Sequence, residues 1–324
     1  MAVLISPAMK ISVIIPVKPG GEVAALEGLR SLASGSPQYE VIVAEGRRPS
    51  RQRNRAAAEA GGEILYFLDD DSIVVPDALL RLERHMGDPA VAVAGGPSLT
   101  PADNTPFQRG VACALASLFG GGAIRNRYRR HGVLRDTDDR ELILCNMAFR
   151  RDVYLAAGGL DERLYPNEEN ELVDRLLAEG RRLVHDPDMY VTRGQRPNLR
   201  AFVRQMFTYG RGRAEQTLLS RSLDAKALIP SLFVCYLISI PLFPRWWYLL
   251  PAALYALLAL ASTAAAALGE SFAIAWRLPL VYTLLHCCYG AGFITGLFTP
   301  RYKRGGCGVG EVLLRRVKEM EGGW

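Results

Sequence analysis

Apolar and polar positions follow two alternating rhythms over the first hundred residues. "ISVIIPV" (11–17) is a β-branched run closed by Pro16, the pattern of a buried strand. Residues 22–34 carry helical periodicity, and "YEVIVAE" (39–45) is a second predicted strand. "SRQRNRAAAEAGG" (50–62) is Ala-rich, opens on Ser50 as a predicted cap and stops at Gly61-Gly62. "EILYFLD" is a third strand, "PDALLRLERHM" (76–86) a helix opened by Pro, and "AVAVAGG" (90–96) a fourth strand. This alternation predicts right-handed βαβ units and a mostly parallel, Rossmann-like sheet, hence an α/β fold.

Further along, "FQRGVACALASLFGGGA" is a candidate helix and "RNRYRRHGVLRDTDDRE" a charged loop. The stretch to Arg193 then reads as strand, helix, loop, helix and strand. Between Leu199 and Leu223, Phe202, Met206, Phe207, Leu218 and Leu219 interleave with Arg200, Arg204, Arg211, Arg213 and Arg221. That pattern predicts a helix lying in a membrane interface, the other reading being a basic helix packed on the domain. Residues 227–243, 246–268 and 278–298 are three long apolar stretches. The second and third reach bilayer-spanning length, with Trp246, Trp247 and Tyr248 as an interfacial belt. The first is short and interrupted by Pro230 and Pro241, which predicts a re-entrant or interfacial segment. The chain thus divides into an α/β domain (1–198), an amphipathic interfacial region (199–226), two or three transmembrane helices (227–300) and a basic tail (301–324). Arg301, Lys303, Arg304, Arg315, Arg316 and Lys318 favour a cytoplasmic tail. The domain side is also basic, so an even number of crossings is expected: two spans plus one partial segment, the first stretch not crossing.

Composition agrees. The 324 residues carry a net charge of +6 and are 49% hydrophobic. Mean hydropathy is +0.07, raised by the C-terminal stretches. A basic chain suits phosphate-bearing substrates, anionic lipid or nucleic acid. The Arg-rich run "RRPSRQRNR" (47–55) has no interleaved aromatic platform, which ranks nucleic acid last. At a helix N-terminus, such a run instead suits a diphosphate, and Arg55 is its expected donor contact. The six Cys form no CxxC pair and read as reduced, non-catalytic thiols. The N-terminal residues lack a signal-peptide pattern.

Two acidic groups carry candidate chemistry. In "YFLDDDSIV" (66–74) an apolar strand ends in Asp69, Asp70 and Asp71. The carboxyl edge of a parallel sheet is where α/β folds bind ligands. A turn there brings Asp69 and Asp71 toward one point, and a divalent cation makes such crowding tolerable. Mg2+ and Mn2+ take few protein ligands and fill the rest with phosphate oxygens. The pair therefore predicts a metal-bound diphosphate, with Asp70 facing the sugar or solvent. The second group is "NEENEL" (167–172) at a helix start. Glu168 and Glu169 point roughly 100° apart on a helix, so one can serve as a general base while the other caps or pairs.

"ISVIIPV", "FLDDDSIVVPDAL", "CNMAFRRDVYLAAGGLDE", "NEENELVDRLLAEG" and "RQMFTYGRGR", in this order, resemble inverting family 2 glycosyltransferases of the GT-A fold. The membrane-attached bacterial members that build exopolysaccharide or lipid-linked sugars are the nearer likeness. The resemblance spans about residues 10–215. It implies that Pro16 and Val17 border the nucleotide and that Glu45 stands where the family places an Asp on the base or ribose. Asp69 and Asp71 match the metal motif, with Asp70 on the donor side. Asn146 and Arg150 match the segment lining the acceptor. Glu169 matches the catalytic base, next to Glu168. Arg211 and Arg213 are expected to meet a lipid phosphate. The family's second-strand "DDGS" is here "AEGRR", and Arg193 stands in "YVTR" near the place of a frequent His. QxxRW is not intact around Gln205 and Tyr209, so no processive polymerase is expected.

The expected activity is metal-dependent inverting transfer from a UDP- or GDP-type nucleotide-diphospho-sugar to a polyprenyl-linked or glycan acceptor. It is placed at the cytoplasmic face of the inner membrane, with membrane lipid as a partner and no nucleic acid. The alternatives are a sugar-nucleotide nucleotidyltransferase, for which "PVKPGGE" is a feeble phosphate loop, and a membrane-anchored non-catalytic binding module.

Overall fold

The computed structural model describes residues 9–221, 223–304, 311–322 and 324. Cys307, the first eight residues, and the side chains of Lys303 and Arg304 fall outside this set, so the expectations that rest on them stay outside it too.

The predicted strands form at β1 (Ile11–Val17), β2 (Tyr39–Glu45), β3 (Ile64–Leu68) and, after a two-residue β4 (Ile73–Val74), β5 (Val91–Gly95). Then come β6 (Ser98–Leu99), β7 (Arg135–Asp136), β8 (Asn146–Arg150), β9 (Arg182–His185), β10 (Val191–Thr192) and β11 (Leu313–Lys318). Eight of them make one sheet in the order β11-β2-β1-β3-β8-β5-β9-β7. β1 is parallel to β2 and β3, and β5 is parallel to β9. β8 enters between β3 and β5 antiparallel to both, and β7 and β11 run antiparallel at the two edges. The sheet is therefore mixed rather than mostly parallel. A parallel neighbour needs a crossover connection, whereas β8 follows the long excursion from residue 96 and is free to run the other way.

Alternate residues of the central strands feed two cores. Ile11, Val13, Ile15, Tyr66 and Leu68 pack under helices Ala25–Arg30 and Ala78–Met86. Ile14, Ile42, Phe67 and Phe149 pack under helices Pro49–Glu59 and Glu168–Ala178. Strands buried on both faces have no polar alternation, which is why these runs read as continuous apolar stretches. Ser50 does not cap its helix. Pro49 opens the helix, Arg48 is the cap residue, and the buried Ser50 hydroxyl donates to Leu164 O at 3.3 Å.

The 199–223 region forms helix Leu199–Ser220, whose inner face holds Phe202, Met206, Gly210, Gly212 and Ala214. It lies along the last apolar helix, Leu278–Phe298, at backbone contact distance. A Cβ built on Gly210 would stand 1.9 Å from Tyr289 O, and one on Gly292 would stand 2.0 Å from Phe207 O. Small residues spaced four apart, here Gly292 and Gly296, let two helix backbones approach this closely. The helix is thus packed on the domain along one face, while Arg200, Arg204, Leu218 and Arg221 stay exposed on the other.

Among the described residues, three segments are long and apolar enough to cross a membrane: Ala225–Leu242, Trp246–Ala267 and Phe272–Phe298. Pro230 and Pro241 do not break the first. Each sits in the first turn of a helical piece, where its missing N–H costs nothing. The segment expected to be a basic tail returns to the sheet instead, and β11 covers the free edge of β2 from Leu313 opposite Glu45 to Lys318 opposite Val41.

Gly292→Ala forces the two helices apart or bends one, with an expected loss of about 1–3 kcal/mol. Thermal unfolding of the purified protein in detergent, beside a Gly269→Ala control whose Cβ meets open space, measures it.

Candidate functional site

β1, β2 and β3 end side by side. Val17 pairs with Glu45 in register, and β3 stops at Leu68, one residue before Asp69. Gln52 ties this edge from below: its Nε2 donates to Val17 O at 2.9 Å and to Ala44 O at 2.5 Å. Pro16 and Val17 are buried while Lys18 is exposed, so the edge opens to solvent just past β1. The sheet brings Pro16, Val17, Glu45 and Asp69 together at this edge.

The Asp turn is held by arginines. Arg53 Nη2 donates to Asp69 Oδ1 at 2.6 Å, and Arg193 Nη1 lies 3.0 Å from Asp69 Oδ2. Arg193 Nε stands 2.6 Å from Asp71 Oδ1, aligned as an ion pair rather than as a hydrogen bond. Burial pushes the Asp69 carboxyl upward, but Arg193, Arg53 and Arg196 outweigh it and hold it below the ordinary value. Asp70 is raised by burial and by its two acidic neighbours. One motif thus contains a carboxylate kept ionised and another that resists ionisation.

Arg53 also joins this motif to the second. Its Nη1 lies 3.6 Å from Glu168 Oε1, and both side chains are almost fully buried. One guanidinium therefore spans two acidic groups about a hundred residues apart in sequence. Glu168 is pushed well up by burial and by Glu169, against the pull of Arg53, and its Oε2 has no hydrogen-bond partner among the described residues. The carboxylate of Glu169, half-buried, forms no hydrogen bond or ion pair with a described residue and stands near Tyr209. The helix start is built for this split. Asn167 adopts a left-handed backbone (φ 83°), a conformation Asn tolerates, and turns the chain into the helix with Glu168 inward.

The loop before Glu168 is clamped by the C-terminal helices. Arg301 Nη2 donates to Tyr165 O at 2.6 Å and to Glu215 Oε2 at 2.8 Å. Glu215 is fully buried and also accepts from the Arg301 backbone N–H at 2.7 Å. Gly212 faces Pro166, where a Cβ would stand 2.6 Å from Pro166 O.

Five expected contacts lie elsewhere. Arg55 faces solvent and pairs with Glu59, because two residues along a helix turn a side chain about 200° away from Arg53. Asn146 sits opposite Leu68 but is fully buried, accepting from Tyr66 Oη and donating to Met189 O. Arg150 is at the far end of β8, opposite Ile64, where it ties down the carbonyls of Met86, Asp88 and Val91. Arg211 and Arg213 point inward from the helix face. Arg211 donates to Thr299 O and lies beside Glu215, and Arg213 donates to Gln216 and lies 3.8 Å from Asp139. Neither is presented to a lipid phosphate.

Arg53 was missed as a site residue although its phase was legible: Gln52, Arg53, Ala56 and Ala57 recur at helical spacing on the buried face. Arg193 and Tyr209 stood out only as departures from a pattern. Gln205 Nε2 donates to Tyr209 Oη at 2.9 Å, and burial raises that phenol against the pull of Arg193 and Arg196.

Residues 64–294 match the family described as glycosyl transferase family group 2. The succinoglycan biosynthesis protein ExoA of Rhizobium meliloti is 27% identical over 275 residues, 82% of this chain and 79% of its own length. The pre-mycofactocin glycosyltransferase of Mycobacterium tuberculosis is also 27% identical, over 50% of this chain but only 33% of its own length. Among solved structures, a Pyrobaculum calidifontis mannosyltransferase in complex with GDP-Man and Mn2+ superposes with a TM-score of 0.53 at 16% identity, covering 91% of this chain and 88% of that one. That likeness is one of fold. The mixed sheet, its acidic carboxyl edge and the family match over most of the chain give one conclusion: this chain belongs to glycosyl transferase family group 2 and is a glycosyltransferase of the GT-A fold.

Proposed function

We propose that the chain transfers a sugar, with inversion, from a nucleotide-diphospho-sugar of UDP or GDP type to a polyprenyl-linked or glycan acceptor at the membrane surface. The observation that carries this is the Arg53 bridge, which sets the Asp69–Asp71 turn and the Glu168–Glu169 helix start around one opening at the sheet edge. The donor nucleotide lies along Val17 and Glu45, with its diphosphate toward Asp69, Asp71 and the exposed Arg196. The GDP-Man complex of the fold neighbour supports such a donor, and the role of ExoA in succinoglycan biosynthesis supports a glycan acceptor.

Among the described residues no group of three or more His, Cys, Asp or Glu converges into a metal cluster. Asp69 and Asp71 nonetheless fit Mg2+ or Mn2+, which are commonly held by one or two carboxylates with phosphate oxygens completing the shell. When bound, the cation would neutralise the charge developing on the leaving diphosphate. Glu169 takes the proton of the acceptor hydroxyl. The acceptor oxygen then bonds to the anomeric carbon from the face opposite the breaking carbon–oxygen bond, and the nucleoside diphosphate departs. Glu168 does not compete for this role: buried under Arg53 and pushed toward its neutral form, it shapes the site instead.

The C-terminal helices support membrane attachment. β11 pairs with β2, and a strand cannot reach its sheet through a bilayer, so the segments between the two cross an even number of times. Burial supports one assignment of the spans. Ala225–Leu242 and Trp246–Ala267 have 6% of their apolar windows buried, against 39% for Phe272–Phe298. The first two form the spanning hairpin, and the third lies against the domain through helix Leu199–Ser220. This keeps two spans and one partial segment but exchanges which is partial. The catalytic domain and β11 then share the cytoplasmic face of the inner membrane.

Glu169→Gln removes the base while keeping its shape and is expected to slow nucleoside diphosphate release at least about 100-fold. A panel of UDP- and GDP-sugars with Mn2+ and membrane extract measures it; full activity in the variant refutes the assignment. Glu168→Gln tests the division of labour through pH. A carboxyl raised by folding keeps its proton after the unfolded chain has lost its own, so stability falls as pH rises above about 4.3. The variant lacks this slope, so its thermal stability should gain on the wild type from about pH 5 to about pH 8. Topology is checked in spheroplasts of a cysteine-free background: Arg245→Cys reacts with an impermeant maleimide from outside, and Glu321→Cys only after permeabilisation.

A further inference from the structure

Arg193 leaves β10, which pairs antiparallel with β4 so that Thr192 stands opposite Ile73, two residues past Asp71. That pairing delivers a guanidinium to the Asp turn from a segment more than a hundred residues away. The side chain lies between the two outer carboxylates, 3.0 Å from Asp69 Oδ2 and 2.6 Å from Asp71 Oδ1. Asp69 Oδ1 is already taken by Arg53. Both oxygens of Asp69 and one of Asp71 are therefore engaged by arginine, and a divalent cation shared by this pair needs some of the same oxygens.

We propose that Arg193 is the resident counter-cation of the Asp69–Asp71 pair and competes with divalent metal for it. This rests on the reading of the site as one for a divalent cation with a nucleotide diphosphate. Two cations cannot share those oxygens without repulsion, so the donor-free protein holds metal weakly. A diphosphate changes the balance, because a guanidinium meets phosphate oxygens at least as well as carboxylate oxygens. With the nucleotide present, Arg193 leaves the carboxylates for the diphosphate and the pair becomes free for the cation. Metal and donor then bind with positive coupling, and the coupling is reciprocal. The arginine keeps a crowded acidic turn neutralised while the site waits, and it makes metal loading conditional on a donor. The exchange is feasible because the Nε contact is an ion pair without hydrogen-bond alignment and the side chain is about one-fifth exposed, whereas Arg53 is almost wholly buried.

The test uses the full chain in detergent, with Mn2+ binding followed by the electron paramagnetic resonance signal of free Mn2+, alone and with UDP or GDP. Wild type should bind Mn2+ weakly alone and at least tenfold more tightly with one of the nucleotides. Arg193→Gln should bind Mn2+ alone at least tenfold more tightly than wild type, with the nucleotide enhancement much reduced. If that variant does not fold, Arg193→Lys carries the test, because one ammonium reaches a single carboxylate and Mn2+ affinity should again rise. Mn2+ affinity that is unchanged or lower in the folded variant overturns the competition. If Asp71→Asn nevertheless abolishes Mn2+ binding, the metal reading survives that failure. If neither wild type nor variant binds Mn2+ with either nucleotide, both readings fall.

Discussion

The architecture of the site depends on one nearly buried guanidinium. Arg53 sits between Asp69 and Glu168, two carboxylates whose side chains are delivered by different parts of the fold. Without it, the Asp turn and the helix start would hold acidic groups in a poorly solvated space with nothing between them. Removing one partner of such a buried set typically costs about 3–5 kcal/mol, because the remaining charges lose their compensation. The arrangement also sorts the carboxylates by state: Asp69 is held ionised by three arginines, while Glu168 and Asp70 are pushed toward their neutral forms. Environments that drive neighbouring titratable groups apart are how acid and base roles are separated at one pH.

A second constraint links the site to the C-terminal helices. Glu215, fully buried on helix Leu199–Ser220, holds Arg301, which follows the last apolar helix, and Arg301 in turn holds the carbonyl of Tyr165 in the loop before Glu168. Gly212 lets the same helix press on Pro166. The loop that aims the acidic pair therefore rests on the apolar helical layer and not on the α/β domain alone. The geometry of the site is thereby set in part by helices of the layer that would attach the chain under the proposed membrane placement.

The arginines divide by helix phase and by register. Arg53 and Arg55 are two residues apart, yet one reaches Asp69 while the other reaches Glu59 and solvent. Arg211 and Arg213 look like a lipid-facing pair in a linear reading and are consumed instead by Thr299, Glu215 and Gln216. Asn146 stands opposite Leu68, at the height of the Asp turn, but its amide is spent on Tyr66 and Met189. In each case the residue type suited the chemistry, and its partners decided whether the chemistry was free to be used.

Local pattern alone determined a good deal: the strands β1, β2, β3 and β5, the acidic turn after β3, the acidic helix start at Glu168, and the apolar C-terminal segments. These are properties of short windows, set by side-chain period, turn chemistry and length. What lay beyond the sequence were the pairings between distant windows. β8 inserts antiparallel between β3 and β5, β11 returns to close the edge of β2, and β10 carries Arg193 to Asp69 and Asp71. Each joins segments separated by tens to hundreds of residues, and no local preference encodes such a partner. Only the packed structure, in which every buried strand edge and charge must find its complement, decided them.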